Sequence, residues 1–374
     1  MKKYFSSAIC SNGYLSAYNT IYKKDANSSV FIIYGGSDFE RAVFFQQLLK
    51  NFKGYNLSVF NPFYDESPDG IYIENLNTYI ISDSGYSRIS PILSGIWEKY
   101  YHVTKENNYP LDLRREILIY KSKENNCYKN ACNLLRSASH IKEKLHTEFS
   151  PYLNDDKVIN YVRRFCSKHL KNTSIKSAGT IRLLSTPTPL GIHTHYDTIF
   201  DSCENIIGIY DDSSFVGSII LGIIKDYAIS EKTPFIMSPS YFAKDIPQTL
   251  LFPNHSVAIT VCDENHILPF EPQEKITISR FLTSDSILSS KKVDALLSIE
   301  NKLLDDCVLN IYEGRDYRFK YNNLCKGYEN SDEVIEKADS LTEKLIIWKT
   351  GDSWIALTII ACRPATILYS LFIK

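Results

Sequence analysis

The sequence has no excess of charge of either sign. Its 374 residues carry 42 Lys and Arg against 43 Asp and Glu, which gives a formal net charge of −1. Without an excess of positive charge, binding to nucleic acid or to an anionic lipid surface has no electrostatic support. We therefore expect neither a nucleic-acid partner nor a membrane partner.

Long apolar runs are also scarce. Residues 1–7 lack the apolar core of a signal peptide, which favours a cytoplasmic protein. Residues 354–373 are mostly apolar, but Arg363-Pro364 stands at their centre. An arginine there costs at least ~2.5 kcal/mol on insertion scales, and proline breaks a helix. We expect two buried strands, or a strand and a helix, rather than a membrane span.

The sequence lacks a recognisable metal or nucleophile motif. Of nine cysteines only Cys127 and Cys132 are close, and their x₄ spacing without a second pair indicates reduced thiols rather than zinc. His193-x-His195 followed by Asp197 has the spacing of some metal sites. No later cluster completes it, because His255 and His266 are isolated, so we expect surface or turn histidines. No G-x-S-x-G is present, and Asp305-Asp306 is typical of a solvated pair.

The chain repeats itself. Residues 4–22 match residues 182–200 at Ser7/Ser185, Gly13/Gly191, Tyr18/Tyr196, Thr20/Thr198 and Ile21/Ile199. After a gap of two residues, 31–49 match 207–225, and apolar positions follow apolar positions. Further on, 59–63 lie near 236–240, and 79–83 lie near 259–263. This pattern indicates two similar halves.

Each half has the same order of elements. An opening turn is followed by an apolar strand, a short polar loop, an apolar helix, and two further strands, the last ending in Asp. Alternating strands and helices predict an α/β fold with two doubly wound domains, whose sheets are mainly parallel. Amphipathic stripes around residues 131–145 and 293–311 predict a helical extension in each half. The predicted domains are 1–178 and 179–374, joined by a linker at 173–179.

The loop between the first strand and its helix is the position of a phosphate-binding loop. In G-x-x-x-x-G-K-[ST], glycines let the backbone curl, lysine reaches the phosphates and the hydroxyl holds magnesium. The first loop, Gly35 to Ala42, keeps the first glycine but has Glu40, Arg41 and Ala42 at the last three positions. In the second loop, residues 211–218, Ser218 alone fits the motif.

On this repeat and these loops, the chain resembles bacterial tandem P-loop ATPase-like proteins, often described as nucleotide kinase-like. The resemblance covers about residues 4–83 and 182–263, and both phosphate loops are degenerate. It implies ATP and magnesium binding. The cofactor-binding residues that it carries over are Gly35, Gly36, Arg41, Ser213 and Ser218, with Asp83 and Asp263 ending the candidate Walker B strands.

Carboxylates in both loops oppose ordinary nucleotide hydrolysis. Asp38 and Glu40 in the first loop, and Asp211 and Asp212 in the second, stand where a polyphosphate would lie. Like charges ~4 Å apart near a surface repel by several kcal/mol. The loops are then strand-to-helix connectors in which Asp38 or Asp211 serves as a helix N-cap. On this interpretation no cofactor is expected.

Two hypotheses follow for function. In the first, the two domains pack through their related faces, have lost turnover, and act as a scaffold or regulator for another protein. In the second, the chain binds ATP and magnesium through an atypical loop, with Arg41 of one half and Ser218 of the other in a composite site. The four loop carboxylates favour the first hypothesis, and the identity of its protein partner is unknown.

Overall fold

The computed structural model describes residues 1–18, 28–83, 85–86, 89, 95, 97–104, 109–170 and 179–350. Three regions singled out in the sequence lie outside these ranges, namely residues 19–22 of the first repeat segment, linker residues 173–178 and the apolar segment 354–373. Among the helices in the described ranges, none is both long and apolar enough to cross a membrane.

Each half of the chain forms a six-stranded sheet and a separate two-stranded hairpin. The strands of the first half are β1 Lys2–Phe5, β2 Ser7–Cys10, β3 Gly13–Ser16, β4 Ser29–Tyr34, β5 Leu57–Asn61, β6 Gly70–Ile73, β7 Thr78–Ser82 and β8 Glu98–His102. Those of the second half are β9 Thr180–Ile181, β10 Ser185–Thr188, β11 Gly191–Thr194, β12 Asn205–Tyr210, β13 Ile236–Pro239, β14 Pro247–Phe252, β15 Val257–Cys262 and β16 Glu274–Thr277.

The two sheets have the same strand order. It is β1-β5-β6-β7-β4-β8 in the first sheet and β9-β13-β14-β15-β12-β16 in the second. In each sheet one strand, β6 or β14, runs antiparallel to its neighbours, and the other pairings are parallel. The predicted α/β class with mainly parallel sheets is confirmed. The antiparallel strand is a feature that the repeat did not predict.

Turns and registers repeat as well. The hairpins β2–β3 and β10–β11 lie 178 residues apart, and Gly13 and Gly191 have φ angles of 114° and 115°. A short 3₁₀ turn with a left-handed residue, Asn77 or Ser256, joins β6 to β7 and β14 to β15. The shared strand order and turns indicate an internal duplication. The sheet registers place Asp263 one residue further along than Asp83.

The helices are α1 Asp38–Asn51, α2 Leu111–Phe149, α3 Asp155–His169, α4 Tyr196–Ser202, α5 Phe215–Ser230, α6 Lys291–Cys325 and α7 Ser331–Thr350. The predicted helical extensions are α2 and α6, which pack against each other over much of their length. They run antiparallel, because Glu124 pairs with Arg318 and Lys142 pairs with Glu300. A Cβ at Gly314 would lie 2.2 Å from the Tyr128 ring, so this crossing requires glycine.

The last helix of each half packs against the core of the other half, mainly on its helix α5 or α1. In α3, Val158, Val162 and Phe165 share a core with Ile220 and Ile224 of α5. The corresponding residues of α7 share a core with α1 and the first sheet, namely Val334, Ala338, Leu341 and Leu345. A buried apolar side chain is worth about 2 kcal/mol relative to an exposed one. We call α3 and α7 the exchanged helices, because each packs against the half to which it does not belong. They therefore hold the two halves together.

Candidate functional site

The first candidate loop lies at the carboxyl end of β4, where two glycines turn the chain into α1. Gly35 and Gly36 have φ angles of 78° and 70°, in the left-handed region that favours glycine. A Cβ at Gly35 would lie only 2.7 Å from the His102 ring on the neighbouring strand β8. The glycines therefore provide the loop curvature that the sequence predicted for them.

A carboxylate of the protein itself occupies the start of α1. Ser37 is the N-cap, and its hydroxyl accepts a hydrogen bond from Glu40 N at 3.1 Å. The buried Glu40 side chain accepts bonds from Ser37 N at 2.7 Å and Asn330 N at 3.0 Å. The Ser37 hydroxyl also donates to Glu329 at 2.6 Å. The Ser37 amide, one of the backbone donors that would face a phosphate in a P-loop, is thus bound to Glu40.

The N-cap assignment corrects one expectation. Asp38 is the first residue of α1 and does not cap it, because the shorter Ser37 side chain takes that role together with Glu40. Asp38 instead pairs with Arg41 in the same loop and with Arg318 of α6 at 2.7 Å. Tyr321 donates a further hydrogen bond to it at 3.1 Å.

The Arg41 side chain turns back onto its own loop. Its guanidinium donates to the carbonyl oxygens of Gly35 at 3.2 Å and Gly36 at 2.7 Å, besides its contact with Asp38. Burial raises the pKa of Asp38, but the guanidiniums of Arg318 and Arg41 overcome this and hold the pKa well below its usual value. The structure therefore brings Gly35, Gly36 and Arg41 together in one internally bonded loop.

In the second loop a different carboxylate, that of Asp211, binds the amide at the start of the helix. The buried Asp211 carboxylate accepts hydrogen bonds from Gly217 N in the first turn of α5 at 2.9 Å and from the Ser213 hydroxyl at 2.6 Å. Ser213 also accepts from Phe215 N at 3.2 Å. Asp211 is not the N-cap expected of it, because Ser214 holds that position. Its carboxylate nevertheless accepts a backbone amide of the first helical turn. Burial raises the pKa of Asp211, and these bonds offset the shift in part.

Ser218 lies inside α5, with its amide donating to Ser214 O at 3.0 Å. Its loop is separate from that of Arg41, and among the described residues no hydrogen bond links these two side chains. Ser213 and Ser218 therefore belong to one loop, whereas Gly35, Gly36 and Arg41 belong to the other. The composite site remains a hypothesis.

Basic side chains from the long helices contact both loops, and the loop motif gave no indication of them. Lys142 of α2 reaches the second loop, where Nζ pairs with Glu300 at 2.7 Å and donates to Asp212 O at 3.3 Å. Arg318 of α6 reaches the first loop. Arg318 lies 176 residues after Lys142, and Glu300 lies 176 residues after Glu124, as β12 does after β4. Extending the repeat into the helices would have found them.

The two aspartates at the ends of the candidate Walker B strands differ in their surroundings. Asp83 is exposed. Asp263 is buried against His266, whose Nδ1 lies 2.9 Å from its carboxylate. Burial raises the pKa of Asp263, but His266 and Lys142 lower it to about 2 overall. The Ser185 hydroxyl lies 3.1 Å from Nε2 of His266, so the carboxylate belongs to a bonded chain rather than to an open site.

The remaining motif residues do not form a metal centre. His193 and His195 line a cavity between the halves, and the rings lie 5.0 Å apart. Within the described ranges, no group of three or more His, Cys, Asp or Glu side chains is placed to hold a metal ion. Cys127 and Cys132 are buried free thiols, and burial raises the pKa of both.

Comparisons with models of protein families, with curated proteins and with solved structures give no match. The functional argument therefore depends on the site itself.

Proposed function

We propose that the chain is a tandem P-loop NTPase-like pseudoenzyme that does not hydrolyse nucleotide and acts as a scaffold or regulator for a protein partner. The observation that carries this proposal is the position of Glu40. Its carboxylate accepts the Ser37 and Asn330 amides at 2.7 and 3.0 Å. A phosphate at the same amides would have to displace this carboxylate.

The cost of displacing Glu40 is large enough to oppose binding. Two negative charges 4 Å apart repel by about 4 kcal/mol at an effective dielectric constant of 20. Arg41 offers no compensation in this arrangement, since it already binds Gly35, Gly36 and Asp38. In the second loop, Asp211 holds the Gly217 amide in a comparable way.

Exposed apolar side chains support a role in protein interaction. The long helices α2 and α6 expose large apolar side chains, namely Leu111, Leu118, Ile119, Ile299, Leu309, Tyr312 and Phe319. These helices are accordingly the surface on which we expect a protein partner to bind.

Steady-state hydrolysis of Mg-ATP and Mg-GTP tests the proposal. We expect turnover at background level in the wild type, because neither loop presents free amides with a lysine and a hydroxyl. Arg41→Ala and Ser218→Ala remove the two side chains of the composite-site hypothesis, and Arg136→Ala at an exposed position is the matched control. Turnover that Arg41→Ala abolishes and Arg136→Ala leaves intact would favour the enzyme hypothesis instead.

A further inference from the structure

A cavity of about 800 Å³ lies between the hairpin β10–β11 and the loop that follows β5. Residues 188–190 and 193–197 form one wall, and residues 61–66 form the other. Lys3, Phe5 and Arg315 also line it. The volume falls within the range of small-molecule binding sites.

The repeat gives the hairpin above this cavity a counterpart that is hydrogen-bonded to the opposite half. In the first half, the hairpin β2–β3 is fastened by Ser11, whose N donates to Tyr241 O at 3.2 Å and whose hydroxyl donates to Phe242 O at 2.5 Å. The residue 178 positions later is Pro189, which has neither an N–H group nor a hydroxyl. The second hairpin therefore lacks both donors, and the space beneath it stays open.

One wall of the cavity is aromatic. The Phe5 and His195 rings are stacked with centroids 4.4 Å apart, and His193 approaches Phe5 edge-on at 6.0 Å. Burial, followed by the neighbouring His193 and Lys3, lowers the pKa of His195 to about 3. The pKa of His193 is lowered as well, chiefly by burial. Near neutral pH this wall is uncharged and suits an apolar group.

The rim of the cavity carries both signs of charge. Lys3 and Arg315 line it together with Asp65, Glu66 and Asp197. Among the described residues, no ion pair joins either cation to any of these carboxylates. Asp65 accepts a hydrogen bond from Ser67 N at 3.0 Å, and Arg315 lies over the Tyr312 ring. The charges of the rim complement a molecule that has both an ammonium and a carboxylate group.

We propose that this cavity binds a zwitterionic ligand of the amino-acid or short-peptide class. Its apolar or aromatic side chain lies against Phe5 and His195, its carboxylate pairs with Lys3, and its ammonium faces the acidic side chains of the rim. A nucleotide fits this lining less well, because its phosphates would face three carboxylates. The site is separate from the two strand-to-helix loops, so it is independent of the proposed function.

Calorimetric titration of the full chain with the dipeptide leucyl-phenylalanine tests the proposal. We expect saturable binding to the wild type and a loss of at least about tenfold in affinity in Lys3→Met, since a charge-assisted hydrogen bond is worth roughly that factor. Lys2→Met is the matched control, because adjacent side chains of a strand point to opposite faces. Its affinity should equal that of the wild type, and unchanged thermal transitions will show that both variants are folded.

Two further measurements use a dipeptide with uncharged termini and a variant that restores the missing hydrogen-bond donors of the hairpin. N-acetyl-leucyl-phenylalanine amide has no charged termini and should bind at least about tenfold more weakly. Pro189→Ser restores both donors of the hairpin, and we expect it to weaken dipeptide binding by closing the cavity. Absence of dipeptide binding, equal binding of the capped form, or binding that Lys3→Met and Pro189→Ser leave unchanged would overturn the proposal. Binding of Mg-ATP that Lys3→Met abolishes would overturn the ligand class.

Discussion

Replacing Lys142 with methionine removes the cation that α2 delivers to the second loop. Lys142 Nζ lies 2.7 Å from Glu300 Oε1, and both side chains are almost fully buried. The other carboxylate oxygen, Oε2, has no hydrogen-bond partner among the described residues. The variant therefore leaves a buried carboxylate without its counter-ion, which costs about 4 kcal/mol.

This loss of stability should depend on pH. Burial raises the pKa of Glu300, and the Lys142 ammonium restrains the shift, so the pKa rises further in the variant. A raised folded-state pKa stabilises the fold below the unfolded value of about 4.3, and this contribution is lost as pH rises through the folded value. The variant is accordingly least stable relative to the wild type near pH 8. The difference should shrink toward pH 5 by up to about 1.4 kcal/mol per unit.

Urea unfolding followed by circular dichroism at pH 8 and pH 5 measures the effect. The double variant Lys142→Met/Glu300→Leu should recover most of the stability, because it removes the unpaired charge as well. Arg318→Met is the comparison in the other half. There Glu124 keeps Lys121 at 2.6 Å and Asp38 keeps Arg41, so the loss should vary less with pH. A loss below about 1 kcal/mol at pH 8, or no recovery in the double variant, would refute the reasoning.

Three further predictions concern the loop and the exchanged helices. Glu40→Ala leaves the Ser37 and Asn330 amides without their acceptor, and urea unfolding should show a loss of about 2–3 kcal/mol. Gly35→Ala should cost about 2 kcal/mol by the same assay, and His102→Ala in the same chain should recover part of it by removing the clash with the new Cβ. A fragment of residues 1–178 lacks α7, so it should show no cooperative thermal transition alone and regain one when mixed with residues 179–374. Equal stability of the variants, or a cooperative transition in the lone fragment, would contradict these expectations.

The repeat predicted the α/β class and the two similar halves, because the strand and helix patterns occur in the same order in both copies. Apolar runs such as β4 and β12 are buried in central positions of the sheets, and the matched turns reproduce in both halves. The antiparallel strands β6 and β14 were missed, since each is joined to the next strand by a short 3₁₀ turn rather than by the α-helix that marks a parallel crossover. The packing of α3 and α7 on the opposite halves was not predicted. The two cores are similar, and no local sequence pattern indicates against which of them each helix packs.

The conformation of the first loop was predicted in part, whereas the cofactor-binding role of its residues stays a prediction. The glycines at 35 and 36 and the loop carboxylates were identified from the motif, but the carboxylates are arranged differently from expectation. Asp38 is an ion-pair partner and Ser37 is the cap. The residues that complete the first loop, Arg318 and Asn330, lie almost 300 residues further along the chain. The repeat in the long helices was the signal that could have identified Arg318 as a loop contact. Nothing in the sequence indicated that Asn330 donates a hydrogen bond to Glu40.

Calorimetric titration of the wild-type chain with Mg-ATP tests the central claim most directly. If Glu40 and Asp211 fill the two loops as the hydrogen bonds indicate, the titration should show no binding heat, and a thermal scan with Mg-ATP should show no stabilisation. Binding tighter than roughly 100 µM, or about −5.5 kcal/mol, would contradict the claim. If Arg41→Ala and Ser218→Ala each weakened that binding while Arg136→Ala did not, the composite nucleotide site would take the place of the pseudoenzyme.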